Sequence, residues 1–193
     1  MKEILLPCLS LLLCVLLIAA IPTELEAAIY DDTVRLHILA PSDSAEDQAL
    51  KLLIRDKILE KYSSYLAFSR NASDAKTTIG NQTKKIESDC RLWILEAGYS
   101  YSVEVELVDE WYETREYKDF TLPAGYYSSL KVSIGEGKGQ NWWCVMYPPL
   151  CLECALGDCT DFSDEEYRII SESGYNVKFK LLELSSSVFG RRK

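Results

Sequence analysis

Histidine is nearly absent: His37 is the one imidazole in 193 residues. A metal site built from several histidines is therefore excluded, and any imidazole chemistry must run through that position. Basic charge is also short. The chain has 21 Lys and Arg against 30 Asp and Glu, a formal charge of −9, which excludes a surface made for phosphate backbones and predicts no nucleic-acid partner. Glycine is sparse, with nine in all, yet three stand within five positions at Gly135, Gly137 and Gly139. Lys138 is followed by Gly139, so the ending of a phosphate-binding P-loop is missing, and the run leads into a strand pattern instead of a helix. At 48% apolar and 26% charged, the composition excludes a disordered or fibrous chain.

What is present begins with an uncharged run from Ile4 to Ile21 behind Lys2. It reads as the apolar core of an export signal, cleaved near Ala20 or Ala27, or as a membrane anchor if it is kept. Residues 1–27 are assigned to this segment. Taking out Lys2, Glu3, Glu24 and Glu26 leaves residues 28–193 at a charge of −7, still a single domain with enough apolar content for one core.

Period-two alternation at Val34, Leu36 and Ile38 predicts a short strand with Arg35 and His37 on its other side. Ser44, followed by Glu46 and Asp47, caps a helix to about Leu66 along Leu50, Leu53, Ile54, Ile58 and Tyr62. A second helix is expected from about Ala75 to Ala97, stopped at Gly98, with Cys90 on its apolar face as a buried thiol. Alternation then returns at Tyr101–Leu107, with Trp111–Thr121 as its expected hairpin partner, and at Leu130–Ile134. Trp142–Tyr147 is expected as a central strand. A short helix after Ser163 and a strand around Val177–Leu181 complete the reading. Two helices followed by a mainly antiparallel sheet make an α+β domain.

Three groups of residues carry possible chemistry. Cys144 and His37 would make a nucleophile–base pair, oriented by Asp43 or Asn141, with Glu110 and Glu136 as further acid–base groups. Cys144, Cys151, Cys154 and Cys159 have the count for zinc. Their irregular spacing and an exported chain favour a Cys144–Cys151 disulfide, with no metal and no cofactor. The loop Gly135–Glu136–Gly137–Lys138–Gly139–Gln140–Asn141 with Trp142 and Trp143 reads as a partner-binding surface. Glycines let backbone approach another protein, and tryptophans dominate binding hot spots. The plain alternative is a hairpin connection with both tryptophans in the core.

Arg35-x-His37-x-x-Ala40-x-Ser42-Asp43-Ser44, Asp47-Gln48-x-Leu50-Lys51 and Leu122-Pro123-Ala124-Gly125 resemble the stage II sporulation protein R family. So, above all, does Gly135-Glu136-Gly137-x-Gly139-x-Asn141-Trp142-Trp143-Cys144-Val145 with Pro148-Pro149-Leu150-Cys151. Pro41 stands where that family usually has Asn, and Cys154 and Cys159 are additions to its pattern. The resemblance implies a forespore product exported into the space between forespore and mother-cell membranes. There it would activate a membrane-embedded aspartic protease that converts pro-sigma-E to active sigma E. It implies a signalling protein and no enzyme; the rival is an exported envelope hydrolase using Cys144 and His37. Membrane contact is expected only through an uncleaved N-terminal segment.

Overall fold

The computed structural model describes residues 7–11, 13–14, 24–117 and 121–148. The chain divides into two compact units. One holds Tyr30–Glu110 with the described residues from Tyr126 onward; the other holds the described residues up to Ile29 and between Trp111 and Gly125. No described helix is long and apolar enough to cross a membrane.

The elements in chain order are α1 (Glu24–Asp31), β1 (Val34–Leu39), α2 (Ala45–Leu66), α3 (Ala72–Glu96), β2 (Val103–Tyr112), β3 (Arg115–Glu116), β4 (Thr121–Leu122), β5 (Gly125–Ile134) and β6 (Asn141–Tyr147). The α+β class and the mainly antiparallel sheet expected from the periodicities are both present. Helix α2 starts where the acids of its first turn place it, with the Ser44 hydroxyl accepting from the Asp47 amide. Helix α3 begins three residues earlier than the apolar spacing suggests, because the Asn71 side chain caps it by accepting from the Asp74 amide at 2.9 Å. It ends at Gly98 with φ +87, where the Tyr99 amide reaches back to the Ile94 carbonyl.

The sheet runs β2-β5-β1-β6. Strand β1 pairs in parallel with β5 and antiparallel with β6. Lys131 pairs with Glu106 at 3.8 Å while Ser128 bonds Asp109 at 2.7 Å, so β2 and β5 run in opposite directions. The inner face carries Leu36, Ile38, Leu130, Val132, Ile134, Val103 and Val105 into one core with Ile54, Ile58 and Leu66 of α2 and Ile79, Ile86 and Cys90 of α3. Tyr62 of α2 is fully buried, and its hydroxyl donates to Asp89 of α3 in a short bond, with Lys61 Nζ 2.5 Å from the same carboxylate. Burial raises the tyrosine's pKa, and the Asp89 bond adds to it. Cys90 is a buried free thiol, pushed up to about 12 by burial and the neighbouring Asp89 and Glu87.

Arg35 and His37, on the face of β1 opposite Val34, Leu36 and Ile38, are buried as well, at 0% and 8% exposure, because β1 is interior to the sheet. Several expectations are corrected. Strand 142–147 is an edge among the described residues, with β1 taking the central place beside β5. The strand beginning at Val103 finds its neighbour in β5 instead of in the segment after Trp111. Among the described residues that segment makes the two-residue ladder of β3 and β4. The helix after Ser163 and the strand near Val177 lie outside the described residues.

The connection 135–140 is not a hairpin. Strands β5 and β6 both pair with β1, so the loop must step over the end of β1, a span of about 10 Å across two strand spacings. Gly135 and Gly137 both take φ +60, a region that disfavours side chains. At Gly139 the loop crosses the chain leaving β1 so closely that a Cβ would sit 2.2 Å from the Ser42 carbonyl oxygen.

Three variants test these contacts. Gly139→Ala is expected to destabilise the fold by about 2–3 kcal/mol in denaturant titration, because backbone on both sides must move. Glu136→Ala at the exposed tip of the same loop should stay within about 0.5 kcal/mol. Asp89→Asn is expected to cost about 1–2 kcal/mol at neutral pH through lost charge-assisted bonds. Burial opposes the Asp89 carboxylate, but the bonds from Lys61 and Tyr62 and the charge of Lys61 outweigh it, so its folded pKa is depressed. Its contribution is therefore fully present above the ordinary carboxylate range and vanishes as pH falls through the folded pKa. The difference between the two proteins should close in acid.

Candidate functional site

The first turns of α2, the loop leaving β1 and the loop 135–140 form one interlocked unit. The Gly139 amide donates to the Ala40 carbonyl at 2.9 Å and the Gln140 amide donates to Asp43 Oδ1 at 2.7 Å. Ser42 Oγ donates to Asp47 Oδ2 at 2.6 Å, and Gln48 Nε2 donates to the Ser42 carbonyl at 2.8 Å. Lys51 Nζ closes the circuit with bonds to Gln48 Oε1 at 2.6 Å and to the Gln140 carbonyl at 2.9 Å. The base of the loop is tied to the chain ahead of β2, the Gly135 amide donating to the Ser102 carbonyl at 2.8 Å.

Asp47 and Lys51 are nearly inaccessible, at 5% and 4% exposure. Burial lowers the Lys51 pKa, with Asp43 pulling it back up and Arg55 pushing it further down. The Tyr101 phenol lies above its ordinary value, first through its hydrogen bond to Asp47. A buried ammonium must be fully bonded to be tolerated, and here it is spent on a loop carbonyl. The unit is thus a rigid platform. Its outer tip carries Glu136 and Lys138, whose side chains are each 74% exposed and pair with one another at 2.5 Å.

The strand that follows divides its residues between two faces. The register sets Ile38 against Trp142, His37 against Trp143 and Leu36 against Cys144. Directly paired antiparallel residues share a face. Trp142 therefore points inward, packs on the core and receives Arg55 of α2 over its ring at 5.1 Å. Trp143 points outward beside His37, with ring centroids 5.6 Å apart. On that outer face His37 Nδ1 lies 2.7 Å from Glu110 Oε1, to which it donates, and Nε2 lies 2.9 Å from the Asn141 side-chain amide. His37 thus straps β2, β1 and β6 together and fixes Asn141 at the point where the loop enters the strand.

This arrangement answers the expectations about chemistry. The structure brings His37, Glu110 and Asn141 together, but Cys144 shares its face with Leu36 and points away from the imidazole. The nucleophile–base pair of Cys144 and His37 is therefore overturned by strand geometry. Cys144 is disulfide-bonded. Cys151, the expected partner, and Cys154 and Cys159 lie outside the described residues. Asp43 orients the loop and not the imidazole, and Glu136 stands at the tip away from His37's bonds. The loop residues Gly135 to Asn141 and both tryptophans are contiguous as expected, with only Trp143 on the outer face.

The sequence reading missed the interlock itself. Its signal was legible: Asp47 and Lys51 occupy the same helical stripe as Ile54, Ile58 and Tyr62, so two charged residues sit where apolar ones belong.

Comparison with known proteins places the chain in a family. The family model of stage II sporulation protein R matches residues 30–155, which contain the whole interlocked unit and the His37 strap. Stage II sporulation protein R of Bacillus subtilis (strain 168) is 29% identical over 184 residues, covering 82% of each chain. No solved structure matches. With its loop-crossing glycines, the buried Lys51 and the strapped His37 all inside the matched region, the chain belongs to the stage II sporulation protein R family.

Proposed function

We propose that this chain is an exported sporulation signal that acts by contact. In this reading it activates a membrane-embedded aspartic protease, leading to processing of pro-sigma-E to active sigma E in the mother cell. It works in the space between the forespore and mother-cell membranes, reached through the segment 1–27, which is removed or kept as an anchor. In that oxidising space Cys144 pairs with Cys151 and steadies the end of β6.

The observation that carries the proposal is the interlocked platform. A loop whose backbone is held at Gly135, Gly139 and Gln140 presents two exposed, oppositely charged side chains with little freedom left in its main chain. Such preorganisation lowers the entropy cost of docking and suits a recognition surface. Trp143, half-buried beside His37 on the outer face, adds the exposed part of a large rigid ring next to it. The rival hydrolase is disfavoured because its nucleophile and base face opposite sides of the sheet.

The double variant Glu136→Ala/Lys138→Ala tests the assignment. Both side chains are exposed and should leave the melting temperature and export unchanged. Processing of pro-sigma-E is expected to fall by about tenfold or more, the scale of losing central contact groups, and crosslinking of the exported chain to the protease should fall with it. Normal processing by a normally folded double variant would remove the loop from the contact surface.

A further inference from the structure

At the end of the sheet opposite the glycine loop, beside the start of β1 and β5, lies a cleft of about 400 Å³ lined by Tyr30, Asp31, Lys76, Asp109, Tyr126 and Ser128. None of these residues takes part in the interlocked platform. The volume is at the low end for ligand sites and suits one side chain or a small ion.

The chemistry of the walls is one-sided. Two phenol rings, whose π-systems attract cations, and two carboxylates line it, against the single ammonium of Lys76. Several of these groups are held in place. The Ser128 hydroxyl donates to Asp109 Oδ1 at 2.7 Å, fixing that carboxylate beside the cleft. The Tyr30 ring stands edge-on to Tyr127 at 5.2 Å, and Tyr127 in turn lies under the Arg35 guanidinium at 5.0 Å. Tyr126 is 63% exposed, so its ring is open to a ligand entering from solvent.

An anion would meet Asp31 and Asp109, and a neutral apolar group would strip water from both carboxylates without return. A cation is favoured by both rings and both acids. Among cations a guanidinium fits best. It is planar, stacks on aromatic faces, bonds carboxylates through a fork of donors and is weakly hydrated, so it can share the cleft with Lys76 at one side. The chain itself sets cations over rings, both guanidinium groups, as Arg35 over Tyr127 and Arg55 over Trp142, and ammonium groups, as Lys57 over Trp93; the choice of arginine rests on its planar fork.

We propose that this cleft takes an arginine side chain of a partner polypeptide. The site is separate from the Gly135–Trp143 surface and adds a second anchor point at the other end of the sheet.

Titration of the exported chain with N-acetyl-arginine-N-methylamide, followed by NMR, tests it. The amide signals of Tyr30, Asp109, Tyr126 and Ser128 are expected to shift saturably, with a Kd of order millimolar, as befits a single side chain. Asp109→Asn and Tyr126→Ala should each weaken binding about threefold, whereas Lys76→Met should tighten it about twofold by removing a like charge. The lysine analogue should bind about threefold more weakly than the arginine one, lacking the planar fork. Saturable binding of N-acetyl-glutamate, weaker arginine binding by Lys76→Met, or tetramethylammonium binding as tightly as the arginine analogue would each overturn the assignment. So would the lack of any shift at about 50 mM ligand, well above a millimolar Kd.

Discussion

The chain must carry β5 and β6 to opposite sides of β1, and the short connection between them has to pass over the segment that leaves that strand. This crossing constrains much of what surrounds it. It leaves no room for a side chain at Gly139 and puts the loop amides against Ala40 and Asp43. It also brings the Gln140 carbonyl down onto the first turns of α2, where Lys51 meets it. The buried charges of Asp47 and Lys51 follow from the same requirement. Backbone groups trapped at a crossing need partners, and helix side chains supply them where water cannot.

A second consequence lies in the strand after the crossing. Because β6 pairs antiparallel with β1, alternate residues of the Asn141–Tyr147 run are dealt to opposite faces. Trp142 and Cys144 go inward, and Asn141 and Trp143 go outward to His37. The imidazole is thereby used as a strap between Glu110 and Asn141, joining three strands, and lies on the opposite face from the Cys144 sulfur. The outer face near the platform is built for holding a shape, as the proposed contact role requires.

Periodicity made the helices and most strand cores legible. Leu50, Ile54, Ile58 and Tyr62 repeat at helical spacing, and Val103–Val105 and Leu130–Ile134 alternate cleanly because one face of each is covered by α2 and α3. The start of α3 was misread because the Asn71 cap is a polar signal outside the apolar repeat. Strand order was not legible. Alternation reports which residues share a face and says nothing of which neighbour a strand finds, so it does not reveal that the central place of β1 buries Arg35 and His37 along with the apolar face. In the candidate site, the glycine spacing marked the loop correctly. The reason for the glycines, a crossing over β1 instead of a hairpin, depends on a pairing between segments about a hundred residues apart, such as His37 with Trp143.

Native-state hydrogen exchange of the two amides at the crossing tests the account most directly. If the loop is a preorganised platform, the Gly139 and Gln140 amides should exchange at least about a thousandfold more slowly than in an unstructured peptide, as members of a cooperative core unit do. Exchange of both amides at the unprotected rate, in a chain whose β1 amides remain protected, would mean that the loop is not held and that the platform does not exist as described.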